Sequence, residues 1–140
     1  MIYDFEMAWD ANKAQLLDYF RTNSDEHPSY EDLVKLLFDY VVNPYLEENG
    51  REVYNTNLIH EIDDGCEQGT MLYLIPIDTE EPACHEYVIT YVNYGDDATC
   101  DSLQLIQMHQ NSKGFEGNVI VAYTMLCHHI LKKCKIPYLD

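Results

Sequence analysis

Residues 71–94 read MLYLIPIDTEEPACHEYVITYVNY, and this stretch decides the fold. Its two ends, MLYLIPI (71–77) and EYVITYVNY (86–94), are rich in β-branched and aromatic residues and bounded by turn formers, the composition of β-strands. The joining segment DTEEPACH (78–85) is too long for a two-residue hairpin turn but suits an antiparallel connection. Pro76 has no N–H to give to a ladder, which puts it at a strand end or on an edge strand.

Helical patterns lie on both sides of this pair. Upstream, SDEHPSYEDL (24–33) is a helix start: Ser29 is placed to cap, Asp32 stands at the third helical position, and Pro28 lies just outside. Leu33, Leu36, Leu37, Tyr40 and Val41 then follow the i, i+3, i+4, i+7, i+8 spacing of a buried helical stripe, which Pro44 or Gly50 should end. An earlier helix is predicted over 8–21, with Trp9, Leu16, Leu17 and Phe20 on one side. The polar run from Arg51 to Gly69 reads as mostly loop. Downstream, Thr99 or Asp101 can cap a short helix holding Leu103 and Ile106. A last helix at about 117–134 presents Val119, Ala122, Tyr123, Leu126 and Ile130, and its closing Lys132, Lys133 and Lys135 suit the negative end of a helix dipole. With no repeat, linker or low-complexity run, residues 1–140 are expected to form a single α+β domain of helices packed on a small, mainly antiparallel sheet.

Charge gives the second constraint. The formal net charge is -17, and from Glu52 to Ser112 there are twelve Asp or Glu and not one Lys or Arg. Apolar residues make up 46% of the chain, enough for a real core, so the acidity belongs to a folded surface. Nucleic acid and anionic membranes are poor partners for such a surface, since both require cations against phosphate. Basic proteins are good ones, drawn by long-range attraction. No stretch approaches the roughly 18 apolar residues of a membrane span, and the start MIYDFEMAWD lacks the basic and apolar regions of a signal peptide. Five irregularly spaced cysteines, Cys66, Cys84, Cys100, Cys127 and Cys134, then read as reduced thiols in a cytoplasm.

Three constellations invite chemistry. In EIDDGCEQG (61–69), Glu61, Asp63, Asp64 and Glu67 offer the oxygens a hard cation wants, but the alternate Asp/Asn spacing of a calcium loop is missing, and a solvated acidic loop is the plainer reading. In GDDATCD (95–101), Asp97 and Cys100 have the two-residue gap of a metal knuckle, which Cys84 with His85 or Cys127 with His128 would complete only if the fold gathers them. A turn leading into a helix cap accounts for the same residues. Cys127 and Cys134 are seven apart, so both fall on one helical face, where a buried thiol is inert. Of the adjacent His128 and His129, one should be half-buried and the other exposed. No GxSxG, P-loop, HExxH or dinucleotide fingerprint occurs, and neither a catalytic residue nor a cofactor is assigned. The twelve tyrosines leave room for a ligand pocket, although core positions with a wet hydroxyl explain most of them.

The run EIDDGCEQGTMLYLIPIDTEEPACHEYVITYVNYGDDATCDSLQLIQ (61–107) resembles a group of small uncharacterised proteins encoded by bacteriophages and prophages. Their pattern is EID-G-x-x-QGT, an apolar strand ending IP-x-DT-x-x-P, a YGSCSGCDTLQ-like segment and then a helix. The likeness extends to SYEDLVKLLFDYVVN (29–43) and the final helix. One departure bears on chemistry: where the group has two cysteines separated by two residues, this chain has Asp97 and Cys100, which weakens any thiolate site. The resemblance implies a phage accessory protein, and small acidic phage proteins often act by stoichiometric binding to host defence factors. Duplex DNA carries about one charge per 1.7 Å of axis, a density that a dozen carboxylates along one side of this domain would approach.

Together these readings predict a non-enzymatic, phage-encoded acidic protein of the host bacterial cytoplasm. It would bind a host macromolecule as an anti-defence (anti-CRISPR-like) inhibitor or nucleic-acid mimic. The expected partner is a host protein with a basic surface, such as a nucleic-acid-binding defence protein. Its contact would be one face formed by Glu61, Asp63, Asp64, Glu67, Asp78, Glu80, Glu81, Asp96, Asp97 and Asp101. The alternative is a small metal-binding or enzymatic domain using Asp97, Cys100 and a nearby His.

Overall fold

The capping signal at Ser29 opens a helix as its chemistry demands. In the computed structural model, which describes residues 2–66, 68–96, 101–110 and 112–137, Ser29 Oγ accepts from Asp32 N and Asp32 Oδ2 accepts from Ser29 N, at 3.1 and 3.0 Å. This reciprocal pair satisfies two N–H groups that the first turn leaves without helical partners. Helix α2 (Tyr30–Leu37) follows, and α1 (Tyr3–Thr22) precedes it. Leu33, Leu37 and Val41 of the predicted stripe are buried, whereas Tyr40 reaches solvent.

Pro44 does not end this helix. Its ring crowds the carbonyl four residues back and it has no N–H to offer. The chain responds with a wide π turn over Phe38–Val42, in which Asn43 N bonds to Phe38 O, and then continues as α3 (Asn43–Glu48). Gly50 makes the stop. At φ +68° it occupies the left-handed region that favours glycine. Gly50 N donates to Glu47 O and Arg51 N to Leu46 O, the paired bonds of a Schellman ending.

The two predicted strands form as β2 (Gly69–Pro76) and β3 (Tyr87–Tyr94), antiparallel from Gly69↔Tyr94 to Pro76↔Tyr87. Pro76 closes β2, where its missing donor is harmless. The described residues from Arg51 to Gly69 are mostly loop, as expected, except that β1 (His60–Asp63) lies within them and pairs antiparallel with β2. All four of its residues are exposed, so no apolar alternation announces it; the neighbouring strand supplies its order. The sheet order is β1–β2–β3. On the outer side of β3, Lys135 exchanges two backbone hydrogen bonds with Ile89, at 2.7 and 2.8 Å.

Helices α4 (Ser102–Gln110) and α5 (Glu116–Lys132) complete the α+β fold. One face of the sheet packs on the helices: Tyr73 and Ile75 of β2 and Val88, Thr90 and Val92 of β3 are buried there. Thr90 Oγ1 donates to Ile130 O at 2.8 Å, which fastens the sheet to α5. The same cluster takes in Phe5, Trp9 and Leu16 of α1, Leu33 and Leu37 of α2, and Tyr123 and Cys127 of α5. None of the helices among the described residues is long and apolar enough to cross a membrane.

Candidate functional site

Side chains alternate across a strand, so whatever does not face the helices faces outward. The rows Ile62–Leu72–Tyr91 and His60–Leu74–Ile89 lie on that outer face, flanked by the pairs Thr70–Asn93 and Pro76–Tyr87. Ile62 is 48% exposed and Tyr91 37%, while Leu72, Leu74 and Ile89 are partly open. A solvated antiparallel sheet normally carries polar residues on this side. Here the central positions Ile62, Leu72, Leu74, Ile89 and Tyr91 are aliphatic or aromatic, and the polar residues His60, Thr70 and Asn93 stand beside them.

Carboxylates bracket this surface at both ends of the strands. Asp63 and Asp64 lie at the β1–β2 turn, and Asp96 follows the end of β3 on the same side; Asp78, Glu80 and Glu81 lie on the β2–β3 connection opposite. All six are exposed. Eight residues of β2 separate the two groups, about 24 Å at the usual strand rise. These six acids therefore form two groups with an apolar patch between them, while Glu61 lies within β1 opposite Tyr73, on the strand parity that faces the helices.

Several of these carboxylates also build the turn. Asp63 Oδ1 accepts from Tyr94 Oη at 2.5 Å and from Gly65 N at 2.9 Å, and these bonds hold its carboxyl below the usual range. The same bond pushes the Tyr94 phenol up to about 12. Asp64 Oδ1 accepts from Thr70 N at 2.7 Å, and Glu61 Oε2 accepts from Tyr73 Oη at 2.9 Å. A Cβ on Gly65 would stand 2.2 Å from Gln68 O, so the turn closes only around a glycine. Charged groups on the edge strand also discourage strand addition by another chain.

Asp101 departs from the predicted surface. It is 6% exposed and points inward. Its Oδ1 accepts from Tyr30 Oη, Leu103 N and Gln104 N, and its Oδ2 from Gly95 N and Gln104 Nε2. It caps α4 and ties α2 to the end of β3, so it belongs to the frame and not to a contact face. Glu67, Asp97, Thr99 and Cys100 lie outside the described residues.

The basic side chains are placed with equal order. Lys133 Nζ stands 4.6 Å above the Tyr91 ring, and Lys135 flanks β3, so the β3 border of the outer face is cationic and the strand ends are anionic. Cys127 and Cys134 are fully buried, and burial pushes both thiols up, Cys134 to about 12. His128 is half-buried and stacks on Trp9 with ring centroids 4.4 Å apart, while His129 is exposed. Among the described residues no group of three or more His, Cys, Asp and Glu is arranged to hold a metal ion.

Comparison with known protein families, curated proteins and solved structures finds no match. The outer-face residues Ile62, Leu72, Leu74, Ile89 and Tyr91 are not among the contacts expected from the sequence. A signal for them lies in MLYLIPI itself, where successive residues are apolar at both strand parities.

Proposed function

We propose that this chain is a non-enzymatic binding protein that docks a protein partner on the outer face of its sheet. The observation that carries the reading is the apolar patch of Ile62, Leu72, Tyr91, Leu74 and Ile89, held between two groups of exposed carboxylates. An interface of this kind has an apolar centre for affinity and a charged rim for steering and register. The complementary partner has an apolar centre and basic residues spaced to meet Asp63, Asp64 and Asp96 at one end and Asp78, Glu80 and Glu81 at the other.

Imitation of a nucleic acid is the less favoured form of this reading. A duplex presents its charge in continuous rows, whereas the acids here are interrupted by an apolar surface. Together with the resemblance to phage-encoded proteins, the charge pattern supports a host protein with a basic, nucleic-acid-binding surface as the partner, and an inhibitory complex as its consequence. A photo-reactive amino acid in place of Leu72 should cross-link that partner, while the same group in place of Met125, on α5, should not. Cross-linking through position 125 alone would sink the proposal.

A further inference from the structure

A cavity of about 210 Å³ lies between the C-terminal end of α1, the loop that follows it, the end of α4 and the start of α5. Phe20 and Tyr123 form one wall, stacked with centroids 5.3 Å apart and planes 22° from parallel, and Tyr19 adds a third ring. Asp25, Glu26 and Glu116 bring carboxylates to the same cavity, and among the described residues no Lys or Arg lines it.

The phenols and side-chain amides of the wall are already engaged. Tyr19 Oη donates to Glu26 Oε2 at 2.8 Å, and Tyr123 Oη donates to Gln110 Oε1 at 2.5 Å. Gln110 Nε2 donates to the carbonyls of Ser24 and Glu26. Phe20 and Tyr123 are buried against each other, so what remains for an occupant is the partly open Tyr19 ring, the Ser24 hydroxyl and carboxylate oxygen. A neutral or anionic ligand finds little to pair with there. A cation with several donors finds both of the things it needs, the Tyr19 ring for its charge and acceptors for its N–H groups.

We propose that this cavity binds an organic cation, a guanidinium or alkylammonium group. The volume suits one such head and part of its stem, below the 300–1,000 Å³ or so of pockets for larger ligands. It is built from α1, α4 and α5 and takes no residue from the outer sheet face, so it stands or falls independently of the docking surface.

The test is an NMR titration of the ring signals of Tyr19, Phe20 and Tyr123 with N-acetyl-arginine amide, putrescine and the neutral isostere N-acetyl-citrulline amide. The two cations should shift these signals saturably, with a Kd in the range of about 0.1–1 mM, and the citrulline compound should not. Glu26→Gln and Glu116→Gln keep an acceptor for Tyr19 Oη and Gly114 N, so both should fold, and each should weaken cation binding by about five-fold or more. Glu48→Gln, which removes the same charge at the exposed end of α3, near the opposite end of α1, should leave affinity within about two-fold. A short peptide carrying one arginine separates the sources: a gain of tenfold or more over the amide assigns the cation to a partner's side chain, and equal affinity assigns it to a free metabolite-sized cation. No saturable shift at about 10 mM, an equal response to citrulline, or unchanged binding by both cavity variants overturns the proposal.

Discussion

The phenol of Tyr30 donates a 2.8 Å hydrogen bond to Oδ1 of Asp101, across 71 residues of chain. It joins the first turn of α2 to the cap of α4, and Leu103 N reaches both the phenol and the carboxylate. A buried carboxylate is tolerated only when donors surround it, and here the donors come from three separate elements. Tyr30→Phe removes one donor and should cost about 1–2 kcal/mol. Asp101→Ala strands the buried Gly95 N–H and removes the α4 cap, at about 2–4 kcal/mol. The double variant should lose less than the sum, because the two share a contact. Urea denaturation of the four proteins measures all three values, and strict additivity would deny the coupling.

Alkaline pH should unfold the protein through its tyrosines. Burial pushes Tyr54 up to about 12, and burial also raises Tyr30, helped by Asp101, and Tyr73, helped by Glu61. Above the ordinary phenol value near 10, the unfolded chain releases protons that the folded chain retains. The unfolded state then binds fewer protons, so stability is full below about pH 10 and falls as pH rises toward 12. Absorbance of tyrosinate and far-ultraviolet circular dichroism, followed together, should show these phenols ionising with the unfolding transition. Full ionisation of all twelve before any loss of helix would contradict the assignment.

Two glycines should respond in opposite directions to alanine. Gly117 is exposed in the first turn of α5, and a Cβ added there would meet nothing within 4 Å, so Gly117→Ala should stabilise by about 0.5–1 kcal/mol through helix propensity. Gly65→Ala meets Gln68 O and Gly69 Cα, both backbone, and should cost about 1–3 kcal/mol. It should also break the Asp63–Tyr94 contact, which lowers the Tyr94 phenol from about 12 toward its ordinary value. Thermal melting and a phenol titration by NMR check the two effects.

How far the sequence disclosed this arrangement depended on how local each feature is. Ser29 with Asp32, and the apolar runs at 71–77 and 86–94, act through near neighbours, and the structure bears them out. β1 depends on a partner strand, since His60–Asp63 has no buried residue of its own. Of the two stops the sequence offers, Pro44 and Gly50, only Gly50 ends the helix, because a π turn over Phe38–Val42, with Phe38, Val41 and Val42 buried, absorbs Pro44. Asp101 reads as a helix cap, which the structure bears out, and also as a surface acid, which it does not, because Tyr30, which pulls it inward, lies far away in the chain. The outer face is present in the apolar run as a second, unassigned parity, but its exposure emerges only once the helices are seen to cover one side.

The helix pair α4–α5 gives the control that the docking proposal needs. From Ser102 to Leu131 only Lys113 and Glu116 are charged, and Val121 and Met125 are 53% and 58% exposed. This second apolar surface lacks a carboxylate rim. Salt should therefore separate the two: binding through the sheet weakens as ionic strength rises past the point where the Debye length falls below about 10 Å, and binding through α4–α5 does not.

The most direct test immobilises the wild type, an Ile62→Ser/Tyr91→Ser variant and a Val121→Ser/Met125→Ser variant, and exposes each to a bacterial lysate at low and high salt. Docking on the sheet requires that a basic protein binds the wild type and the helix-face variant at low salt, leaves both at high salt, and never binds the sheet-face variant. Retention of that protein by the sheet-face variant, or its loss from the helix-face variant, would rule out the sheet as the docking face, as would the absence of any partner on the wild type.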